Sequence, residues 1–203
     1  MDLHVAAVTI TMSIYQCDYE LADKLKPGLN PLRIIIAAMA AGAAAFLTIA
    51  VALRISGNFG SMTPTMSLLR WAAIGLAPIA FVASRALVAS QLKFSRQQLV
   101  AGTSEPSQDA DGAHASAFLA DLGDAGKLFA VYTTQAIIST ACLEFAALAC
   151  IVSFMFTGSL ASLALSVALI CAIVPNIPLA ASSVAEWIEE QLRLVEEERM
   201  RIR

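Results

Sequence analysis

Residues 34–53 read IIIAAMAAGAAAFLTIAVAL, twenty positions without a charge between Arg33 and Arg54. An α-helix rises about 1.5 Å per residue, so this stretch reaches across the roughly 30 Å hydrocarbon core of a bilayer. Asn30 suits an N-cap, and Pro31 after it suits the first helical position, where a missing amide hydrogen costs nothing; the pair predicts a helix start there. Working outward, a second span is expected over 68–90. Arg70, Trp71 and Arg85 lie toward its ends, where long side chains reach the headgroups, and Pro78 predicts a kink. Leu128 to Gly158 is apolar except for Glu144 and a few small polar residues, and places a third span at 133–155. A Thr157–Gly158 turn then leads into a fourth, 159–174, that ends around Pro175, Asn176, Ile177 and Pro178.

The bulk composition agrees. Of 203 residues 58% are hydrophobic and 14% charged, and mean hydropathy is +0.72. A chain of this kind is solvated by lipid more readily than by water. The net charge is −3 with basic residues dispersed, so no positive field of the kind nucleic acid requires exists, and nucleic acid is not expected as a partner. Cys142, Cys150 and Cys171 lie in apolar runs and Cys17 in a polar one, which speaks against a disulfide framework. His4 and His114 lack the spaced companions of a zinc site, and no metal or cofactor is expected.

Local motifs add no chemistry. Gly126–Lys127 resembles the end of a phosphate-binding loop, but Asp121 stands where the first glycine belongs and Leu128 where a hydroxyl belongs. Asp109, Asp111 and Gly112 lack the later ligands of a calcium loop. No nucleophile has a base to activate it, so no catalytic residue is assigned and an enzyme is not expected. No basic residue precedes Val5–Tyr15, so a cleavable secretory signal is not expected and the mature chain should begin at residue 1.

These spans divide the chain into an N-terminal segment (1–33), a transmembrane domain (34–182) with a polar connection over 93–127, and an amphipathic tail (183–203). Thr103–Ser116 is rich in Ser, Asp, Ala and Gly and reads as a mobile loop. In the tail, Ser183 and Glu186 have capping-box spacing, and Glu189/Arg193 and Glu197/Arg201 stand at i, i+4. Val184, Trp187, Ile188, Leu192 and Val195 form one apolar stripe, suited to a membrane surface or to another helix. Eleven Lys and Arg residues fall in or beside the N-terminal segment, the 93–127 connection and the tail, against Arg54 and Arg70 elsewhere. The imbalance puts both termini in the cytoplasm, which four crossings satisfy and three or five do not. No internal repeat is evident, which argues against an inverted-repeat transporter.

Glu144 is the residue to single out. An ionised carboxylate in mid-bilayer costs several kcal/mol, so it is buried against protein, protonated or paired. At 100° per residue, Thr133 and Thr140 fall on its stripe with Ile137, Ala147 and Ile151, making a narrow polar seam. Either the seam is a proton or cation site, or it is an interhelical hydrogen bond holding the third span to a neighbour. Arg85 is a possible cation partner, although snorkelling is the simpler role for it. The small residues of the first span, Ala37, Ala38 and Ala40 to Ala45 around Gly42, suit close helix packing.

Tyr132–Gln135, Leu143–Ala147 and the acidic Trp-containing stretch Val184–Gln191 together resemble a group of uncharacterised bacterial four-helix inner-membrane proteins. Phe145 departs from that group's usual Gly, and Leu148 and Ala149 stand in place of aromatics. The resemblance implies a multi-pass inner-membrane address without an established activity. The mid-helix carboxylate beside a small-residue helix is also similar to the proteolipid rotor subunit of rotary ATP synthases, although that family's Gly periodicity is absent. The reading is therefore an all-α polytopic integral membrane protein with four transmembrane helices and a C-terminal amphipathic cytoplasmic helix. Its expected role is a structural or interaction component of a membrane assembly, in contact with lipid and with further copies or another membrane protein through the tail. The alternative is a small proton-coupled or ion-conducting protein centred on Glu144.

Overall fold

A computed structural model of the chain describes residues 3–57, 64–101, 119–178 and 180–202, of which 3–20 are described as backbone. The described residues are helical: α1 (Leu3–Ile55), α2 (Pro64–Ala101), α3 (Gly123–Thr157), α4 (Leu160–Ile173), a 3-10 turn (Val174–Asn176) and α5 (Ala181–Ile202). Stretches of α1, α2 and α3 are long and apolar enough to cross a membrane; α4 with its 3-10 turn passes the same test only when taken together with α5 as a broken span.

The helices are longer than hydropathy indicates. Asn30 and Pro31 do not start α1, which runs through both Pro27 and Pro31. The reason is which way the prolines face. Ala22, Leu25, Leu29, Leu32 and Ile36 form the buried stripe, whereas Pro27 and Pro31 stand on the exposed side. The carbonyls they leave unbonded, those of Asp23 and Pro27, belong to exposed residues too. Asn30 is used otherwise, its Oδ1 accepting a 3.4 Å hydrogen bond from Arg33 Nη1. Likewise α2 continues past Ser90 to Ala101, and α3 begins ten residues before Thr133. Thr103–Ser116 lies outside the described residues.

The chain divides into two compact units. The first comprises residues 1–33, 93–132 and 178–203. Its core is the α1 stripe as far as Leu32, with Leu99 of α2, Leu128 and Phe129 of α3, and Val184, Ala185, Ile188 and Val195 of α5. The tail stripe is thus satisfied within its own chain. Trp187 packs against Tyr132 with ring centroids 5.4 Å apart. Arg96 donates two N–H groups to Oε1 of the buried Gln191, one of them at 2.8 Å. Arg33 Nε donates to Pro178 O at 2.7 Å. The helix carrying the stripe starts at Ala181, so Ser183 stands inside it and not at its cap, and Arg193 pairs forward with Glu197 at 3.9 Å.

The second unit comprises residues 34–92 and 133–177. Its only Asp, Glu, Lys or Arg residues are Arg54, Arg70, Arg85 and Glu144. Of the large hydrophobic side chains that stand exposed among the described residues, all but Phe94 and Met200 belong to this unit, Leu68, Trp71, Ile79, Phe145 and Leu160 each by more than half. Such a surface is costly against water and ordinary against lipid. Small residues build the interior: Ala43 and Ala50 of α1, Ala73 and Ala77 of α2, Ala146, Ala147 and Cys150 of α3. Two contacts fix the register of α2 against α3: Gln135 Nε2 donates to Val88 O at 3.1 Å and Cys150 Sγ to Ala73 O at 3.6 Å. Fifteen residues separate the two contacts on either helix, so the pair runs antiparallel in constant register.

Candidate functional site

Polar groups are few in the second unit, and most are spent locally. Ser153 and Ser162, both fully buried, share a 3.3 Å hydrogen bond between α3 and α4. Ser84 and Ser166 turn back on carbonyls of their own helices. At the end of α3, Thr157 Oγ1 donates to Ser153 O and accepts from Ser159 N. Gly158 takes φ +64°, its amide closing on Phe154 O at 2.8 Å, and the chain reverses into α4.

Around Glu144 the arrangement differs. Thr140, one turn before it on α3, is fully buried and accepts a 3.5 Å hydrogen bond from Asn176 Nδ2. Asn176 follows Pro175 where α4 gives way to the 3-10 turn, so irregular backbone meets α3 seven residues inside its Thr133 boundary. Sequence reasoning used Asn176 only to mark the end of a span. An amide between Pro175 and Pro178 after an apolar run was the available signal, because non-helical backbone in a bilayer must find protein partners.

Glu144 is half-buried, with Leu143, Ala146 and Ala147 buried on one side and Ala141 and Phe145 exposed on the other; Phe145 is 65% exposed. Its carboxylate forms no hydrogen bond or ion pair among the described residues. The seam is therefore not continuous. Thr140 turns inward to Asn176, Thr133 is half-buried with interactions of its own, and Glu144 stands at the margin between core and outer surface.

The structure does not bring Arg85 to Glu144. Arg85 is exposed on α2, its guanidinium 5.6 Å from the Phe81 ring centroid, one turn back along the helix and away from Lys93. The guanidinium therefore lies back along α2 over Phe81. Arg70 stacks on Trp71 at 5.1 Å.

Among the described residues no group of three or more His, Cys, Asp or Glu could hold a metal ion. His4, His114, Asp109 and Asp111 lie outside the residues whose side chains are described. Gly126, whose likeness with Lys127 to a phosphate loop fails in the sequence, has a packing role: a Cβ there would lie 2.1 Å from the Leu119 carbonyl oxygen. Lys127 pairs with Asp124 at 3.3 Å. The chain matches no protein family, no curated protein and no solved structure.

Proposed function

We propose that the chain is a bacterial inner-membrane protein that crosses the bilayer four times, keeps both termini in the cytoplasm, and acts as a structural or interaction component by binding other transmembrane helices. The observation that carries the reading is Glu144, the one acidic residue of an apolar unit, which has no partner among the described residues and borders an exposed helix face. A carboxylate so placed in hydrocarbon costs several kcal/mol, and a donor from a second helix offsets that cost. The fourth crossing rests on α4, whose 14 residues and 3-10 turn together span about 27 Å. The orientation rests on the eleven-to-two distribution of Lys and Arg.

The partner contact is not assigned to the apolar stripe of the tail, whose Val184, Ile188 and Val195 are buried in the first unit. The outer face of α3 supplies it instead. A photocrosslinker at Phe145, placed in the full chain in native membranes, is expected to form protein adducts; adducts with lipid alone sink the reading. A second reading, a proton or ion path, draws support from the break between α4 and its 3-10 turn beside Thr140. Flux into liposomes that Glu144→Gln leaves unchanged removes it.

A further inference from the structure

The second unit carries an acid and a base on neighbouring helices, Glu144 on α3 and Arg85 on α2, and neither side chain forms an ion pair or a hydrogen bond among the described residues. Their levels along the antiparallel pair lie within about two helical turns of each other. In the α2/α3 register, Glu144 stands level with Ile79 and Arg85 with Ile138, six residues or about 9 Å apart along the helices. Helical side chains lean toward the N-terminus of their own helix, and because α2 and α3 are antiparallel the two charged groups lean toward each other's level. Arg85 does so, with its guanidinium over Phe81 one turn back. The register and the lean of helical side chains thus bring the half-buried Glu144 and the exposed Arg85 toward one level, with no ion pair between them.

We propose that two copies of the chain pair about a two-fold axis along the membrane normal, Arg85 of each copy meeting Glu144 of the partner subunit. This rests on the membrane-association reading above and names the partner. A two-fold axis in that direction preserves depth and makes each contact twice, so the surplus acid and the surplus base of one copy are both neutralised by the other. Neither member of this pair is left over. A different protein would have to bring an acid and a base at the same level, and a phospholipid phosphate stays at the headgroup level. Arginine suits the task because its fork of N–H donors takes both oxygens of a carboxylate and it stays protonated in hydrocarbon. Phe81, Val82 and Phe145, all exposed, flank the two charges and offer apolar contact around them.

The test uses the full-length chain, carried on two different affinity tags and co-expressed, with co-purification from native membranes as the readout. Wild-type copies are expected to capture one another. Arg85→Glu alone and Glu144→Arg alone each place like charges in both contacts and should lower capture by about tenfold or more. Co-expressing the two single variants restores an opposite charge to every contact, and so does the double exchange R85E/E144R; both should recover wild-type capture, which also demonstrates that the variants fold. Single variants that assemble as wild type, or a mixture that fails to recover, overturn the proposal. A photocrosslinker at Val82 checks the geometry without altering charge: an adduct to α3 of a second copy is expected, and one confined to lipid counts against it. Failure here is separable from failure of the broader reading. If Phe145 captures a different protein while self-capture ignores the charge changes, the two-fold pairing falls and the association reading stands; if Phe145 captures lipid alone, both fall.

Discussion

Arg54, at the end of α1, lays its guanidinium against Gly158, between α3 and α4, and donates from Nη1 to the Met155 carbonyl at 3.4 Å. A cation on the last carbonyls of α3 complements the negative end of that helix dipole, and the bare Cα of Gly158 gives the guanidinium room. A Cβ at Gly158 would stand 2.5 Å from Arg54 Nη2, and its φ is +64°. Gly158→Ala should therefore lower stability by about 1–2 kcal/mol, mostly from the left-handed backbone since the arginine tip can shift. Thermal unfolding in detergent measures it, and an unchanged midpoint would show that neither the turn nor the cap matters.

Gly126 predicts a harsher result from a different cause. Its backbone is ordinary for α-helix, but the atom a Cβ would strike is the Leu119 carbonyl oxygen at 2.1 Å, with the Leu119 carbonyl carbon at 2.9 Å. A main-chain atom cannot rotate away as the Arg54 tip can. Overpacking of this kind costs about 1–3 kcal/mol, and Gly126→Ala should sit at the upper end and above Gly158→Ala. The two variants unfolded side by side check the order; a reversed order refutes the argument that backbone contacts yield less than side-chain ones.

The long apolar helices were legible because an uncharged run of spanning length reads directly from composition, and nothing polar interrupts residues 34–53 beyond a single threonine. Helix ends were not, because a helix can continue amphipathically past its apolar run. Leu128 and Phe129 extend α3 toward its start by packing in a core, where burial and not hydropathy decides. Pro31 looked like a start since sequence does not reveal that its unbonded carbonyl partner faces outward. The helical wheel placed Thr140 and Glu144 on one stripe but could not say that the stripe straddles the boundary of the core, because that depends on where α4 breaks. Asn176 left a signal, an amide between two prolines after an apolar run, but not the identity of its partner Thr140.

For the tail, periodicity showed the stripe and left its occupant open. With Ile188 fully buried and Trp187 against Tyr132, a photocrosslinker at Trp187 should give an adduct within the chain, on α3 near Tyr132. Ile188→Ala should cost about 2–5 kcal/mol, as for other filled core sites. Mass spectrometry of the adduct separates the alternatives: an adduct on a second protein, with stability unaffected by Ile188→Ala, would mean that the stripe serves a partner after all.

Arg199 makes the last prediction. Its Nη2 donates to Leu99 O at 2.7 Å and to Asp124 Oδ2 at 3.2 Å, joining the last turns of α2 to the first turn of α3 from the far end of α5. The carbonyl contact neutralises a helix C-terminus, and the carboxylate contact holds an acid at a helix N-terminus, so two dipole ends share one cation. Its side chain is 42% exposed, which weakens the ion pair by solvent screening. Arg199→Gln should cost about 1 kcal/mol, lessening with added salt, whereas Arg193→Gln, which removes an ion pair to the exposed Glu197, should stay within about 0.5 kcal/mol. Hydrogen exchange reads the effect locally: Arg199→Gln should speed exchange in the last turn of α2 and leave α4 unchanged. Equal effects from the two substitutions would deny Arg199 any role in tying the helix ends together.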